Sequence, residues 1–145
     1  MRELLAIDEE WLLGKMEAAL AWLKAGHVVD VSVEAATKLV PARRSVGNMA
    51  VVPLTGFMTQ RPNIFSMLFG GTSTEAFAAE VVAALADPAV GAVVMPIDSP
   101  GGSVHGVTEA AAKIRAARGT KPIFAVADPF AASAAYWLAS QADEV

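Results

Sequence analysis

Ser133 stands between alanines in the run Phe130-Ala131-Ala132-Ser133-Ala134-Ala135-Tyr136-Trp137. Small neighbours let a carbonyl carbon approach a hydroxyl oxygen, which suits a nucleophile that attacks an acyl group. Roughly thirty residues earlier, Ile97-Asp98-Ser99-Pro100-Gly101-Gly102-Ser103 closes an apolar run. Pro100 fixes its own φ, and the glycine pair can take conformations closed to other residues. Backbone N–H groups there, beside the start of a following helix, can be aimed at a developing negative charge. Each piece has a plainer reading. The glycine pair is also what a tight strand-to-helix turn requires, and a lone serine at a helix start is usually a cap or a core residue. The two together, in this order and spacing, are far more specific than either alone.

A neutral serine hydroxyl is a weak nucleophile and needs an adjacent base. His105 follows the glycine pair at the expected first turn of a helix and could approach the site, although a histidine there is more often exposed and idle. His27 is far upstream. Asp98 is suited to accepting backbone hydrogen bonds that hold the turn, and Asp128-Pro129 to shaping the approach to Ser133. The lysines are Lys15, Lys24, Lys38, Lys113 and Lys121, so none follows Ser133 in these 145 residues. Lys113 is expected in mid-helix and Lys121 just before a strand, both as solvated surface charges. There is no cysteine, which excludes disulfides, thiolate metal sites and a cysteine nucleophile. Two histidines without close carboxylates make no ligand set, so neither a metal nor any other cofactor is expected.

The elements that must position these residues follow from hydrophobic spacing. A helix is expected from about Asp8 to Leu23, with Leu12, Met16, Ala19, Leu20 and Leu23 on one face and Gly26 ending it. That face needs a partner, either the main domain or another subunit. Residues 27 to 48 are ambiguous, with a loop or linker at 41–47. Residues 49–54 read as a short strand that Pro53 pushes toward an edge or an end. Residues 56–71 read as a loop whose apolar side chains pack on the core or on a partner. Thr72 and Glu75 have capping-box spacing for a helix to about Ala86, with Phe77, Val81 and Leu85 inward. Val90 to Ile97 reads as a strand covered on both faces. A helix over 103–117, a strand over 122–127, a short helix through Ser133 to about Ser140 and the start of a further strand at 142–145 complete the order. Strand and helix alternate, so the fold class is α/β with mostly parallel pairing. Both motifs then fall at strand ends on the carboxyl edge of the sheet, where such sheets bind ligands.

The length fits one domain with a real core. Residues 1–47 are expected to form an N-terminal helical extension and linker, and 48–145 the N-terminal part of a catalytic domain. The chain is 54% apolar and 18% charged, without an apolar run long enough to cross a bilayer. Its start is acidic where a signal peptide would be basic, so export is not expected. A net charge of −4 without a basic block disfavours nucleic acid as a partner.

Ile97-Asp98-Ser99-Pro100-Gly101-Gly102, with Ala131-Ala132-Ser133-Ala134-Ala135-Tyr136-Trp137-Leu138-Ala139 and Ala142-Asp143-Glu144-Val145, resembles the signal peptide peptidase A family of serine peptidases. Its phage branch, the protein C type of capsid-maturation protease, is the closer likeness. The resemblance runs from about Met49 to Val145. It implies a crotonase- and Clp-like spiral of ββα units, here truncated at the C-terminus. It also implies an endopeptidase that forms an acyl-enzyme on Ser133, with Gly101 and Gly102 supplying or shaping the oxyanion hole. The family's general base is a lysine some tens of residues after the serine, so the chain is expected to hold half of a Ser-Lys site and to be inert alone. Implied partners are a polypeptide substrate, further copies of the chain, and phage capsid or scaffold proteins, with no membrane. The implied location is the bacterial cytoplasm or the phage prohead. Two alternatives stand beside this reading. One is a Clp-type peptidase, which needs a downstream histidine and aspartate; the other is a non-catalytic assembly module of the same fold.

Overall fold

The computed structural model describes residues 5–7, 9–26, 41–63, 66 and 70–145. The chain opens with β1 (Leu5–Ile7) and α1 (Glu9–Lys24). After residue 41 come β2 (Arg44–Val46) and β3 (Met49–Val51), an antiparallel hairpin. The strand expected over 49–54 is present in two pieces, because Pro53 has no N–H to donate. Val52 still donates to the Val94 carbonyl at 2.9 Å, and pairing resumes in β4 (Leu54–Thr55). Both pieces run parallel to β7 (Ala92–Ser99). Pro53 thus lies at a strand end, as expected, and β4 beyond it is the last strand on that side of the large sheet.

Between β4 and β7 the expected loop contains two strands, β5 (Phe57–Thr59) and β6 (Gly71–Ser73), paired in parallel. Phe57 and Met58 are buried, so these two apolar residues pack on the core. The remaining apolar positions of that stretch, Ile64, Phe65, Met67, Leu68 and Phe69, lie outside the described residues. The α2 helix (Thr74–Ala86) begins one residue later than a Thr72 cap would place it. Ser73 is the cap, and its Oγ accepts from Ala76 N–H at 3.3 Å. Thr72 instead ties β6 to β4, donating to the Thr55 carbonyl at 2.8 Å and accepting its N–H at 3.0 Å. Glu75 is released from any capping box and pairs with Arg61 at 2.8 Å. That hydrogen bond holds the Glu75 carboxyl below its usual range. Phe77, Val81 and Leu85 are buried as expected. Each contributes about 1.5–3 kcal/mol by leaving water.

The β7 strand has Val93, Met95, Ile97 and Ser99 buried, while the alternate residues are partly or fully exposed. It is covered on one face, not on both. The helix expected over 103–117 starts later. Gly101 to Ser103 form a strand, β8, and α3 (Val107–Ala116) starts only after Gly106. The β9 strand (Ile123–Ala131) is longer than expected, and α4 (Ala134–Ala139) follows. Glu144 makes an isolated parallel bridge to Phe124.

Two sheets result. The larger contains β2, β3, β4, β7 and β9, all parallel except the β2 hairpin; the smaller has the order β1-β8-β5-β6. The fold is α/β with a mostly parallel sheet. Twice the chain places a strand in the large sheet, then short pairing in the small sheet, then a helix: β4, β5, β6, α2, and again β7, β8, α3. Each pass leaves the large sheet at its carboxyl edge, and both motifs lie there.

Candidate active site

The β7 and β9 strands run side by side in register from Val93 opposite Ile123 to Ile97 opposite Ala127, and then Ser99 pairs with Ala131. Two steps along β7 therefore match four along β9. The surplus falls at Asp128-Pro129-Phe130, which bulges from the ladder; bulges of this kind re-aim the chain beside functional sites. Beyond the bulge the chains rejoin, and Ala132 N–H donates to the Ser99 carbonyl at 3.0 Å. Ser133 is the next residue. The bulge and this one bond bring the two sequence motifs into contact.

Ser133 has φ 51° and ψ −121°, and among the described residues no other non-glycine has positive φ. A conformation of this sort costs on the order of 1–3 kcal/mol and persists only where the surroundings impose it. The surroundings here are rigid. Ala134, Ala135, Leu138 and Ala139 are buried, and α4 packs on β7, β8, β9 and α3. Ser133 itself is exposed, and its hydroxyl makes no capping bond. Neither plainer reading of this serine fits, since it is not a core residue and its side chain does not cap the helix. A strained strand-to-helix turn with an exposed serine resembles a nucleophile elbow. Tyr136 and Trp137, in the first turn of α4, are 56% and 47% exposed.

Gly101 and Gly102 lie in β8, so their N–H groups are not beside a helix N-terminus. Gly101 has φ 94°, a conformation that glycine takes without strain. Its N–H donates to Ser99 Oγ at 3.2 Å. At Gly102 a Cβ would come within 2.0 Å of the Met58 carbonyl oxygen, so only glycine lets β8 lie this close to β5. The turn is held by Ser99 rather than by the Asp98 carboxylate. Ser99 is fully buried, and its Oγ also donates to the Gly56 carbonyl at 2.7 Å. Asp98 is exposed, and its carbonyl accepts from Gly56 N–H at 2.8 Å. The role of Ser99 was not read from the sequence. Its signal was present, because a serine two residues before a glycine can accept that glycine's N–H.

His105 lies in the β8–α3 turn, two residues before the helix, and is exposed. Its N–H donates to Ser103 Oγ at 3.2 Å, and its Nδ1 lies 3.5 Å from the same oxygen. Lys113 is exposed on α3. Lys121 is not simply solvated, since its Nζ donates to the Asp87 carbonyl at the end of α2. Among the described residues, no side chain hydrogen-bonds the Ser133 hydroxyl, and no cluster of His, Asp and Glu could hold a metal. No helix among them is long and apolar enough to cross a membrane.

Over 102 residues the chain is 38% identical to the head-tail preconnector protein GP5 of Enterobacteria phage P21, a match covering 69% of this chain. Over 97 residues, 67% of this chain, it is 32% identical to the capsid assembly protease C of Escherichia phage lambda. The chain is a homologue of phage capsid assembly protease C. It spans about a fifth of the length of these curated relatives, 20% of the first and 22% of the second. No protein-family model matches the chain. Among solved structures, the Pseudomonas aeruginosa protein PA4980 aligns with TM-score 0.51 and 21% identity, covering 72% of this chain and 51% of its own; that likeness is one of fold. An enoyl-CoA hydratase/isomerase family member aligns with TM-score 0.44 and 14% identity, over 71% of this chain and 45% of its own.

Proposed function

We propose that this homologue carries the nucleophile of a serine endopeptidase that cleaves capsid or scaffold polypeptides during phage head maturation. The observation that carries the reading is Ser133: exposed, forced to positive φ, and set one residue beyond the bond from Ala132 to Ser99. In the proposed step Ser133 Oγ bonds to the scissile carbonyl carbon and its proton passes to a general base. The amine then leaves with a proton, and water releases the acyl group from Ser133. Gly101 and Gly102 shape the cradle for the oxyanion by holding β8 against β5 and fixing the turn after Ser99. The family resemblance assigns the base to a lysine, which we place outside the described residues. The likeness to a named capsid assembly protease supports this reading over a Clp-type peptidase.

The test is cleavage of a phage capsid or scaffold polypeptide by the full gene product, with Ser133→Ala beside it. Cleavage is expected to fall at least about a hundredfold in the variant while circular dichroism is unchanged. A folded Ser133→Ala protein that cleaves at the unaltered rate removes Ser133 from the reaction.

A further inference from the structure

In α1, every residue whose burial is described is exposed, among them Leu13 at 55%, Met16 at 43% and Leu20 at 53%. These three recur at steps of three and four, which places them in one stripe along the helix. The stripe shares Met16 and Leu20 with the apolar face that the spacing suggests and adds Leu13; the side chains of Leu12, Ala19 and Leu23 lie outside the described residues. In heptad terms Leu13 and Leu20 take one core position and Met16 the other, the seam of a helix pair. An isolated helix of 16 residues is marginal in water, and burying this stripe would stabilise it.

The charges choose the occupant. Glu10, Glu17 and Lys24 are exposed, stand exactly seven residues apart, and form one row beside the stripe. In an antiparallel pair of identical helices, flanking positions of this kind meet their own counterparts across the seam. With the pair centred on Glu17, Glu10 of each helix faces Lys24 of the other, giving two opposite-charge pairs and one Glu17–Glu17 contact. In a parallel pair this row does not meet its own counterpart, so Glu10 and Lys24 would not face each other. We propose that α1 is a self-association surface, and that its partner is α1 of a second copy of this chain, packed antiparallel along Leu13, Met16 and Leu20.

Sedimentation equilibrium over a concentration series, on the chain and on charge-swapped variants, tests this directly. The chain is expected to dimerise, and salt is expected to weaken the dimer. Glu10→Lys alone and Lys24→Glu alone each place like charges at both symmetric contacts. Each should raise the dimer dissociation constant about tenfold. The double variant Glu10→Lys/Lys24→Glu should restore it, and so should a one-to-one mixture of the two single variants, which pair preferentially with each other. All the substitutions are at exposed sites, and circular dichroism verifies that each variant is folded. A chain that stays monomeric, a dimer indifferent to the single swaps, or a loss that neither the double variant nor the mixture restores would overturn the proposal.

Discussion

Ser133 is held in a backbone conformation that glycine adopts more easily, in a setting where its hydroxyl gives no structural return. Strain at such a position is expected to cost stability and to be tolerated for what the side chain does. Ser133→Gly should therefore be more stable than Ser133→Ala by about 1 kcal/mol, since only glycine relieves the strain. Denaturant titration measures the difference, and equal stabilities would show that the turn is not strained. Ser99 is the opposite case, a serine whose hydroxyl is wholly structural. Ser99→Ala leaves the Gly56 carbonyl and the buried Gly101 N–H without their partner, a loss of about 1–3 kcal/mol. If Ser99→Ala unfolds at the same denaturant concentration as the parent, that hydroxyl does not hold the turn.

At the scale of elements, the sequence made regular packing legible and left irregular geometry hidden. The inward face of α2 and the parallel core strands were readable because apolar periodicity reports burial directly. The β8 strand was not, because Gly101 and Gly102 have no side chains to alternate, and glycine pairs usually signal a turn. The β5–β6 pair was hidden in three-residue strands, too short to show a period. The bulge at Asp128-Pro129-Phe130 was invisible, since it exists only as a mismatch between two strands. The order of the two motifs was readable; their contact through Ala132 and Ser99 was not. The start of β9 has its own anchor. Asp143 accepts from Ile123 N–H at 2.9 Å and pairs with Arg118 at 2.8 Å. The Ile123 hydrogen bond first, and then Arg118, hold its carboxyl below the usual range. A depressed folded-state pKa adds stability that is present above the unfolded value, about 3.9, and is lost as pH falls through the folded one. Asp143→Asn should therefore lower stability at neutral pH by about 1 kcal/mol or less, and the gap from the parent should close below about pH 4. A gap independent of pH would mean that the carboxylate charge contributes nothing.

For the whole molecule, two sheets linked by alternating passes of the chain bring one carboxyl edge to bear on Ser133. The extension contributes β1 to the smaller sheet, and the described side chains of α1, the proposed pairing stripe among them, are exposed. Swapping charges on α1 should then leave the Ser133 turn intact, and changing Ser133 should leave the α1 pairing intact. Everything proposed about catalysis rests on the Ser133 hydroxyl acting as a nucleophile. The most direct measurement is mass-spectrometric mapping of a fluorophosphonate adduct on the full gene product. One adduct is expected, on Ser133, and it disappears in folded Ser133→Ala. An adduct that persists in that variant, or a protein that cleaves its substrate with Ser133 unlabelled, would contradict it.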